Sequence, residues 1–432
     1  NLQATPTANG IMLTWNTYND PTGNFNHFNI YRNTSYFTNV AGIPRLNTSL
    51  TNVATTTFTD GDAEPGIQYY YAVTAVDNSG MENTEVNPAG PVTYFSNFDR
   101  IGDGFGIGVT SAVNEKGSSI AYNSVNRQYL VVYECRESDG VHYDIKGQLL
   151  DAGGAKIGSV FTVTPFSGED DRKPQVVYNP TRNEYLVAYE HYWGYYGKYF
   201  ALVDRVSASG AVLTGGNIVL PYIVNQYNPR VAYNSTNDEY LVTCEWDQNG
   251  DGSDMNVACQ ALTGTATPGT YGAYYVSSFI GMHELKPDVA YNSAANEYYV
   301  IWECNYSAPD NYDILGRRIA RDGASADSTI YFVGGFNVTE HNARIVYNTA
   351  NNKYFCAFEA YIQINGVNNY YLIGQSLSSA GSKVGDYSFI SYYIGIDERH
   401  AALAYNPTGN EYLVVFDADV YGDHTASAIL GR

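Results

Sequence analysis

Apolar and polar residues alternate with a period of two along most of the chain, in short runs broken by Gly, Pro, Asn and Asp, and no stretch carries the 3.6-residue period of a helix. The pattern predicts an all-β protein. It also recurs at the level of whole segments. The stretch AYNPTGNEYLVVFD (Ala404 to Asp417) has close copies that begin at Ala121, Val177, Ala232, Ala290 and Val346, and the Tyr that opens each copy falls at Tyr122, Tyr178, Tyr233, Tyr291, Tyr347 and Tyr405. The spacings are 56, 55, 58, 56 and 58 residues. Each unit reads as a strand ending in Tyr-Asn, a tight Asn-rich turn, a strand of the form xYLVxYE, a third strand such as DIKGQLL and a fourth such as VFTVT.

A four-stranded unit of this length is the size of a propeller blade. The sixth copy stops at ILGR, one strand short, and an orphan strand FGIGVT precedes the first, so residues 98–432 are expected to form a six-bladed β-propeller. Phe105 to Thr110 would pair outside the strand ending at Arg432 and close the ring, leaving no free sheet edge. The unit resembles the AYN…NEYLVVWE…DIYGQR repeats of bacterial and archaeal surface proteins, a likeness that implies fold and location more than activity.

Residues 1–95 lack the repeat and read as seven short strands, with IMLTW, FNIYR, TTFTD and YYYAVTAVD the clearest. The segment EPGIQYYYAVTAVD, with Trp15 in an early strand and Tyr31 in the next, resembles a fibronectin type III domain. That resemblance implies a two-sheet sandwich with Tyr69 as its tyrosine corner, the hydroxyl tying a crossing to backbone. No Arg-Gly-Asp tripeptide is present, and a spacer role is expected.

Composition narrows the function class. The 23 Lys and Arg stand against 44 Asp and Glu, a net charge of -21, so nucleic acid and anionic membrane surfaces would be repelled. No apolar run is long enough to insert in a membrane. Only 16% of residues are charged while Tyr numbers 42, which suits an extracellular or cell-surface protein. Sequons at Asn33, Asn47, Asn234, Asn305 and Asn337 are compatible with glycosylation.

Counting the opening Tyr as zero, +7, +9 and +11 lie on one strand face and should pack against a neighbouring blade. Position +1 is Asn in every copy, as a hairpin cap requires, and +12 is always acidic: Glu134, Glu190, Glu245, Glu303, Glu359 and Asp417. A group needed once per blade is expected to bind backbone amides between blades rather than to do chemistry. Position +11 is aromatic except for Cys244, and a third-strand position that is Gly in four copies (Gly147, Gly316, Gly374, Gly431) is Cys259 in the same unit. A disulfide between Cys244 and Cys259 is the expectation, and with it an oxidising compartment. Cys135 and Cys304 fall on opposite sides of the ring and cannot pair; Cys356 has no assigned role.

Residues that break the repeat are the better functional candidates. Tyr192, Trp193, Tyr195 and Tyr196 gather in one Gly-punctuated loop, as a contact surface for sugars or for another subunit. Asp247, Asn249, Asp251 and Asp254 alternate around a Gly turn in DQNGDGSD, similar to the calcium loops of EF-hands and of integrin-type propellers, so Ca2+ is the expected cofactor. No nucleophile elbow and no sialidase box occurs. The expectation is an extracellular, non-catalytic protein used in adhesion or self-assembly, with copies of itself or surface glycans as partners. A lectin-like propeller is the alternative, and a polysaccharide lyase or glycosidase the third reading.

Overall fold

The computed structural model describes residues 2–7, 10–47, 50–63, 67–92, 106–108, 114–137, 139–164, 166, 168–269, 272–308, 311–326, 328–334, 338–364, 366–391, 396–418 and 428–432. Every regular element among them is a strand. The chain divides into two compact units, residues 1–105 and 106–432.

The N-terminal unit holds β1 (Leu2–Thr7), β2 (Gly10–Trp15), β3 (Phe25–Asn33), β4 (Thr57–Asp60), β5 (Tyr69–Asp77) and β6 (Ala89–Val92). These are six strands among the described residues where the pattern suggested seven. They form two three-stranded sheets, β1-β2-β4 and β3-β5-β6, which share a core of Ile11, Leu13, Ile30 and Tyr71. One hydroxyl tie across this unit is that of Tyr71. Tyr71 is fully buried and donates to Asp60 Oδ2 at 2.7 Å, while the Tyr69 ring lies under the Arg32 guanidinium at 4.7 Å. The two residues share a face of the strand, and the deeper one reaches the carboxylate. Pro65 and Gly66 of the quoted motif lie outside the described residues.

The second unit contains six antiparallel sheets in chain order. The first is β7 (Glu115–Asn123), β8 (Gln128–Arg136), β9 (Tyr143–Asp151) and β10 (Lys156–Thr162). The second is β11 (Asp170–Asn179), β12 (Glu184–Trp193), β13 (Lys198–Ser207) and β14 (Asn217–Ile218), and the third is β15 (Asn225–Asn234), β16 (Glu239–Asp247), β17 (Met255–Thr263) and β18 (Tyr274–Ser277). The fourth is β19 (Glu284–Asn292), β20 (Glu297–Ala308), β21 (Asn311–Ala320) and β22 (Tyr331–Phe332); the fifth is β23 (Glu340–Asn348), β24 (Lys353–Ile364), β25 (Val367–Ser378) and β26 (Lys383–Phe389). The sixth has β27 (Glu398–Asn406), β28 (Glu411–Ala418) and β29 (Ala428–Gly431).

The first strands of successive sheets lie side by side, and apolar clusters alternate with the sheets, each filled from two neighbours. Tyr354, Cys356 and Phe358, at +7, +9 and +11 of the fifth repeat, pack on Tyr299 and Ile301 of the fourth. Two polar devices join the sheets. The +1 Asn accepts its own turn's N–H groups and donates onward: Asn123 accepts from Val125 and Asn126 and donates to Asn183 at 2.9 Å, and Asn179 donates to Asp238 at 2.8 Å. The +12 carboxylate accepts the N–H of a left-handed residue in the next sheet's first strand. Glu134 takes Lys173 N–H (2.9 Å), Glu190 takes Asn228 (2.6 Å), Glu245 takes Lys286 (2.8 Å), Glu303 takes Asn342 (2.7 Å) and Glu359 takes His400 (2.6 Å).

The expected disulfide is corrected by register. Cys244 stands opposite Ala258 and Cys259 opposite Thr243, so the two thiols point to opposite faces, and all five cysteines are free. The same one-residue offset applies to the glycines: Gly147, Gly316, Gly374 and Gly431 face +10 rather than +11. A Cβ on Gly316 would meet the Tyr299 ring at 2.5 Å and one on Gly374 the Phe355 ring at 2.7 Å, so glycine makes room for an aromatic at +8. Asn47 and Asn234 are buried with their amides hydrogen-bonded, which leaves neither free to carry a glycan in this fold; Asn337 lies outside the described residues. Phe105, Val109 and Thr110 do so too, and Ile107, between them, packs on Val131, Tyr133 and Cys135 of the first sheet. The expected clasp with the last repeat has no ladder among the described residues.

Glu303→Ala is expected to lower the repeat unit's stability to urea by about 3 kcal/mol, since it strands the Asn342 N–H and the Lys286 ammonium 3.2 Å away, whereas Glu303→Gln, which keeps an acceptor, should cost less. Thiol titration of the unfolded chain should count five sulfhydryls without prior reduction, and reductant should leave the native melting temperature unchanged.

Candidate functional site

A carboxyl, histidine and aromatic constellation lies where the loop between β8 and β9 meets the segment that enters β11. It exists because one repeat position is a carbon short. Seven residues before each opening Tyr stands Glu115, Asp171, Gln226, Glu284, Glu340 or Glu398. Glu340 Oε2 accepts the Ile314 N–H at 3.0 Å, Glu398 that of Leu372 at 3.3 Å, and Gln226 Oε1 that of Ala201 at 3.2 Å, each on the preceding sheet's third strand. Asp171 is shorter. The equivalent N–H, on Ile145, goes instead to Thr164 Oγ1 at 3.3 Å, and the Asp171 carboxylate turns to His191.

His191 is fully buried, with Nδ1 2.7 Å from Asp171 Oδ1 and Nε2 3.0 Å from Glu169 Oε2. The ring is packed against Phe166, centroids 4.4 Å apart. The imidazole thus links a buried carboxylate to one that is about a third exposed. Burial raises the Asp171 carboxyl to about 6, partly offset by its hydrogen bonds to His191 and Thr164. Glu169 Oε1 accepts the Gly194 N–H at 3.1 Å, which fixes the aromatic turn against it.

Glu137 sits beside this group, its Oε1 accepting the Gly168 N–H at 3.4 Å, one residue before Glu169. Burial raises the Glu137 carboxyl, and a hydrogen bond to Asp144 together with that residue's charge raises it further. Asp144 is buried and paired with Lys146. Nearby, the backbone N–H groups of Val141 and His142 and the His142 ring hold Asp139 down at about 2. Arg172 grips Asp170 through both its Nε (3.0 Å) and Nη2 (2.8 Å) and lies 3.9 Å over the Tyr143 ring. Carboxyls of opposite tendency therefore meet on one edge, the physical requirement for an acid and a base that work at the same pH.

The four expected aromatics form the adjoining wall. Trp193 packs edge-on to Phe200 and to Tyr196 and is half-buried; Tyr195 is 85% exposed, standing at right angles to Tyr196; Tyr192 leans on Tyr199. In the loop expected to hold calcium, the acidic side chains accept backbone hydrogen bonds. Asp247 Oδ1 accepts the N–H groups of Gly250 (2.9 Å) and Gly252 (3.1 Å), Asp251 accepts from Ser253, and Lys198 donates to the Gly250 carbonyl at 3.2 Å. Among the described residues no three His, Cys, Asp or Glu side chains are grouped to hold a metal. Sequence reasoning passed over Glu137, Asp144, Asp171 and His191. Counting the repeat from Tyr hid the acidic position seven places earlier, which is the one signal that would have exposed Asp171 as the short member.

No protein-family model and no curated protein matches the chain. Solved structures do. A protein of unknown function from Dyadobacter fermentans is similar with a TM-score of 0.53 at 11% identity, covering 74% of this chain and 94% of that one. The Penicillium chrysogenum α-L-arabinanase, solved with arabinobiose, is similar with a TM-score of 0.51 at 10% identity, covering 73% and 92%. Likeness at this identity is a likeness of fold, and it places the chain among all-β proteins of β-propeller type. It also corrects the functional expectation: the architecture taken for a non-catalytic adhesion scaffold is one that a glycan-cleaving enzyme uses, so the adhesion reading is withdrawn.

The sign of the pH effect at Asp171 follows from its raised value. Between 3.8 and about 6 the folded chain binds more protons than the unfolded one, so this carboxyl favours the fold most below about pH 4 and loses that contribution as pH rises through 6. The melting-temperature deficit of Asp171→Asn relative to wild type is therefore expected to shrink between pH 4 and pH 7.

Proposed function

We propose that the protein is a glycosidase whose acid and base lie at the junction of the first two repeats. The observation that carries this reading is the Glu137–Asp144 carboxyl pair, one member raised by burial and by the other's charge, beside the ionisable Glu169 and the exposed Tyr195–Tyr196 edge. Glu137 is the general acid that protonates the leaving glycosidic oxygen. Glu169, oriented by Gly194 N–H and backed by His191 and Asp171, is the carboxylate that activates water or attacks the anomeric carbon. Trp193, Tyr195 and Tyr196 offer ring faces on which a sugar stacks. The shared propeller-type fold of the Penicillium α-L-arabinanase supports the class and makes arabinan the first substrate to try.

Finer structural readings belong here as well. Residues 1–95 are taken as a fibronectin type III domain, supported by two small sheets around one core, and the six repeats as a ring, supported by the side-by-side first strands. An extracellular setting is supported by the Tyr-rich, charge-poor composition.

Reducing-sugar release from arabinan and a panel of neutral and acidic polysaccharides is the test. Wild type is expected to release sugar, and Glu137→Gln, folded with an unchanged melting temperature, to lose at least about 100-fold in kcat. Turnover by Glu137→Gln at the wild-type rate, or no release from any polysaccharide by folded wild type, would overturn the reading.

A further inference from the structure

The third repeat carries an aromatic slot beside a cross-strand pair that departs from the other repeats. Across the second and third strands, +11 faces one residue: Tyr133 faces Lys146, Tyr189 Leu202, Trp302 Leu315, Phe358 Ile373 and Phe416 Leu430. In the third repeat the pair is Cys244 and Ala258. Both members of this one pair are small. Ala258, the smaller member, lines a cavity of about 130 Å³ together with Tyr222, Trp246, Ala273, Tyr274 and Tyr275. Trp246, at +13, is likewise particular to this repeat, where the others have Cys, His or Ala.

Three of the four rings that line the space are packed together, with the buried Trp246 between the two part-exposed tyrosines. Tyr222 and Tyr275 lie 4.8 and 5.5 Å from Trp246, inclined to it at 56° and 55°, and Trp246 is only 7% exposed. The buried Trp246 offers no broad open face for a pyranose to stack on. A compact cation needs several faces around a small volume, which the slot provides. The cavity is below the roughly 300–1,000 Å³ of whole small-molecule sites, so it suits a head group. Two polar atoms point the same way. Asp254 Oδ1 is buried without a partner, and its charge reaches the Tyr275 hydroxyl. The Trp246 indole N–H, also buried and unpartnered, can serve an oxygen on the same ligand.

We propose that the slot of Tyr222, Trp246 and Tyr275 binds a small alkylammonium head group of the choline type, with the ring faces on the methylated nitrogen and Asp254 as counter-charge. This site is separate from the Glu137 constellation and does not depend on the glycosidase reading. The head group could be free or lipid-borne, and one experiment distinguishes the two.

The native chain is titrated with choline and with its neutral isostere 3,3-dimethylbutanol, followed by tryptophan fluorescence and calorimetry. Choline should saturate the site at least 10-fold more tightly than the isostere, and monosaccharides should not compete. Ala258→Leu, which restores the side chain size found in the other repeats, should abolish binding without lowering the melting temperature; Trp246→Ala should abolish it and Asp254→Asn weaken it. Sedimentation with phosphatidylcholine vesicles but not phosphatidylglycerol vesicles assigns a lipid-borne head group, and choline binding without sedimentation assigns a free one. Equal affinity for the isostere, displacement by a monosaccharide, or undiminished choline binding by folded Ala258→Leu would overturn the proposal.

Discussion

The hydrogen bond from a left-handed backbone N–H to the carboxylate of the preceding sheet is the constraint on which the repeat unit rests. The first strand of each sheet breaks its ladder at one place, and there a residue takes positive φ: Gly117, Lys173, Asn228, Lys286, Asn342 and His400. That conformation turns an N–H out of its own ladder, and a buried donor without an acceptor is costly. For Lys173, Asn228, Lys286, Asn342 and His400 the +12 acid of the sheet before supplies the acceptor. The same residue's side chain then returns to its own sheet's acid, as Lys173 does to Glu190 at 3.0 Å and Asn342 to Glu359 at 2.8 Å. Glu190, Glu245, Glu303 and Glu359 are therefore each shared by two sheets.

This explains which parts of the molecule were legible from the letters alone. Period-two alternation and a fixed spacing are properties of single strands and turns, so the all-β class, the four-stranded unit and the scaffold role of the +1 Asn and +12 acid could be read directly. Cross-strand register could not. A one-residue slip exchanges the two faces of a strand, and it was such a slip that set Cys244 against Cys259 and the glycines against +11 rings. The bulge at the positive-φ residue is the local cause of uncertainty in the first strand, and it adds no letter pattern of its own: Gly, Lys, Asn and His all occupy it.

The candidate site was illegible for a related reason. Glu137, Glu169 and His191 are scattered over more than fifty positions and meet only because two sheets are held at a fixed offset. Their roles depend on burial, which sequence does not state: Asp171 is raised because it is sealed in, while Asp139, on an open turn and served by two backbone N–H groups, is lowered.

A repeat provides an internal standard that an ordinary domain lacks. At any position five other copies show what the architecture requires, so a departure can be attributed to something other than folding. Asp171 falls one carbon short of its equivalents, and the fold has to recruit Thr164 to satisfy the Ile145 N–H that a Glu would have taken. The freed carboxylate then anchors His191. Cys244 and Ala258 are small where the pair is large in the other five repeats, and four aromatic rings line the cavity beside Ala258. In both places the chain gives up packing or hydrogen bonding that its own neighbours keep. Stability alone offers no reason to retain such losses, and that is why both proposed sites are argued from these departures rather than from the geometry the repeats share.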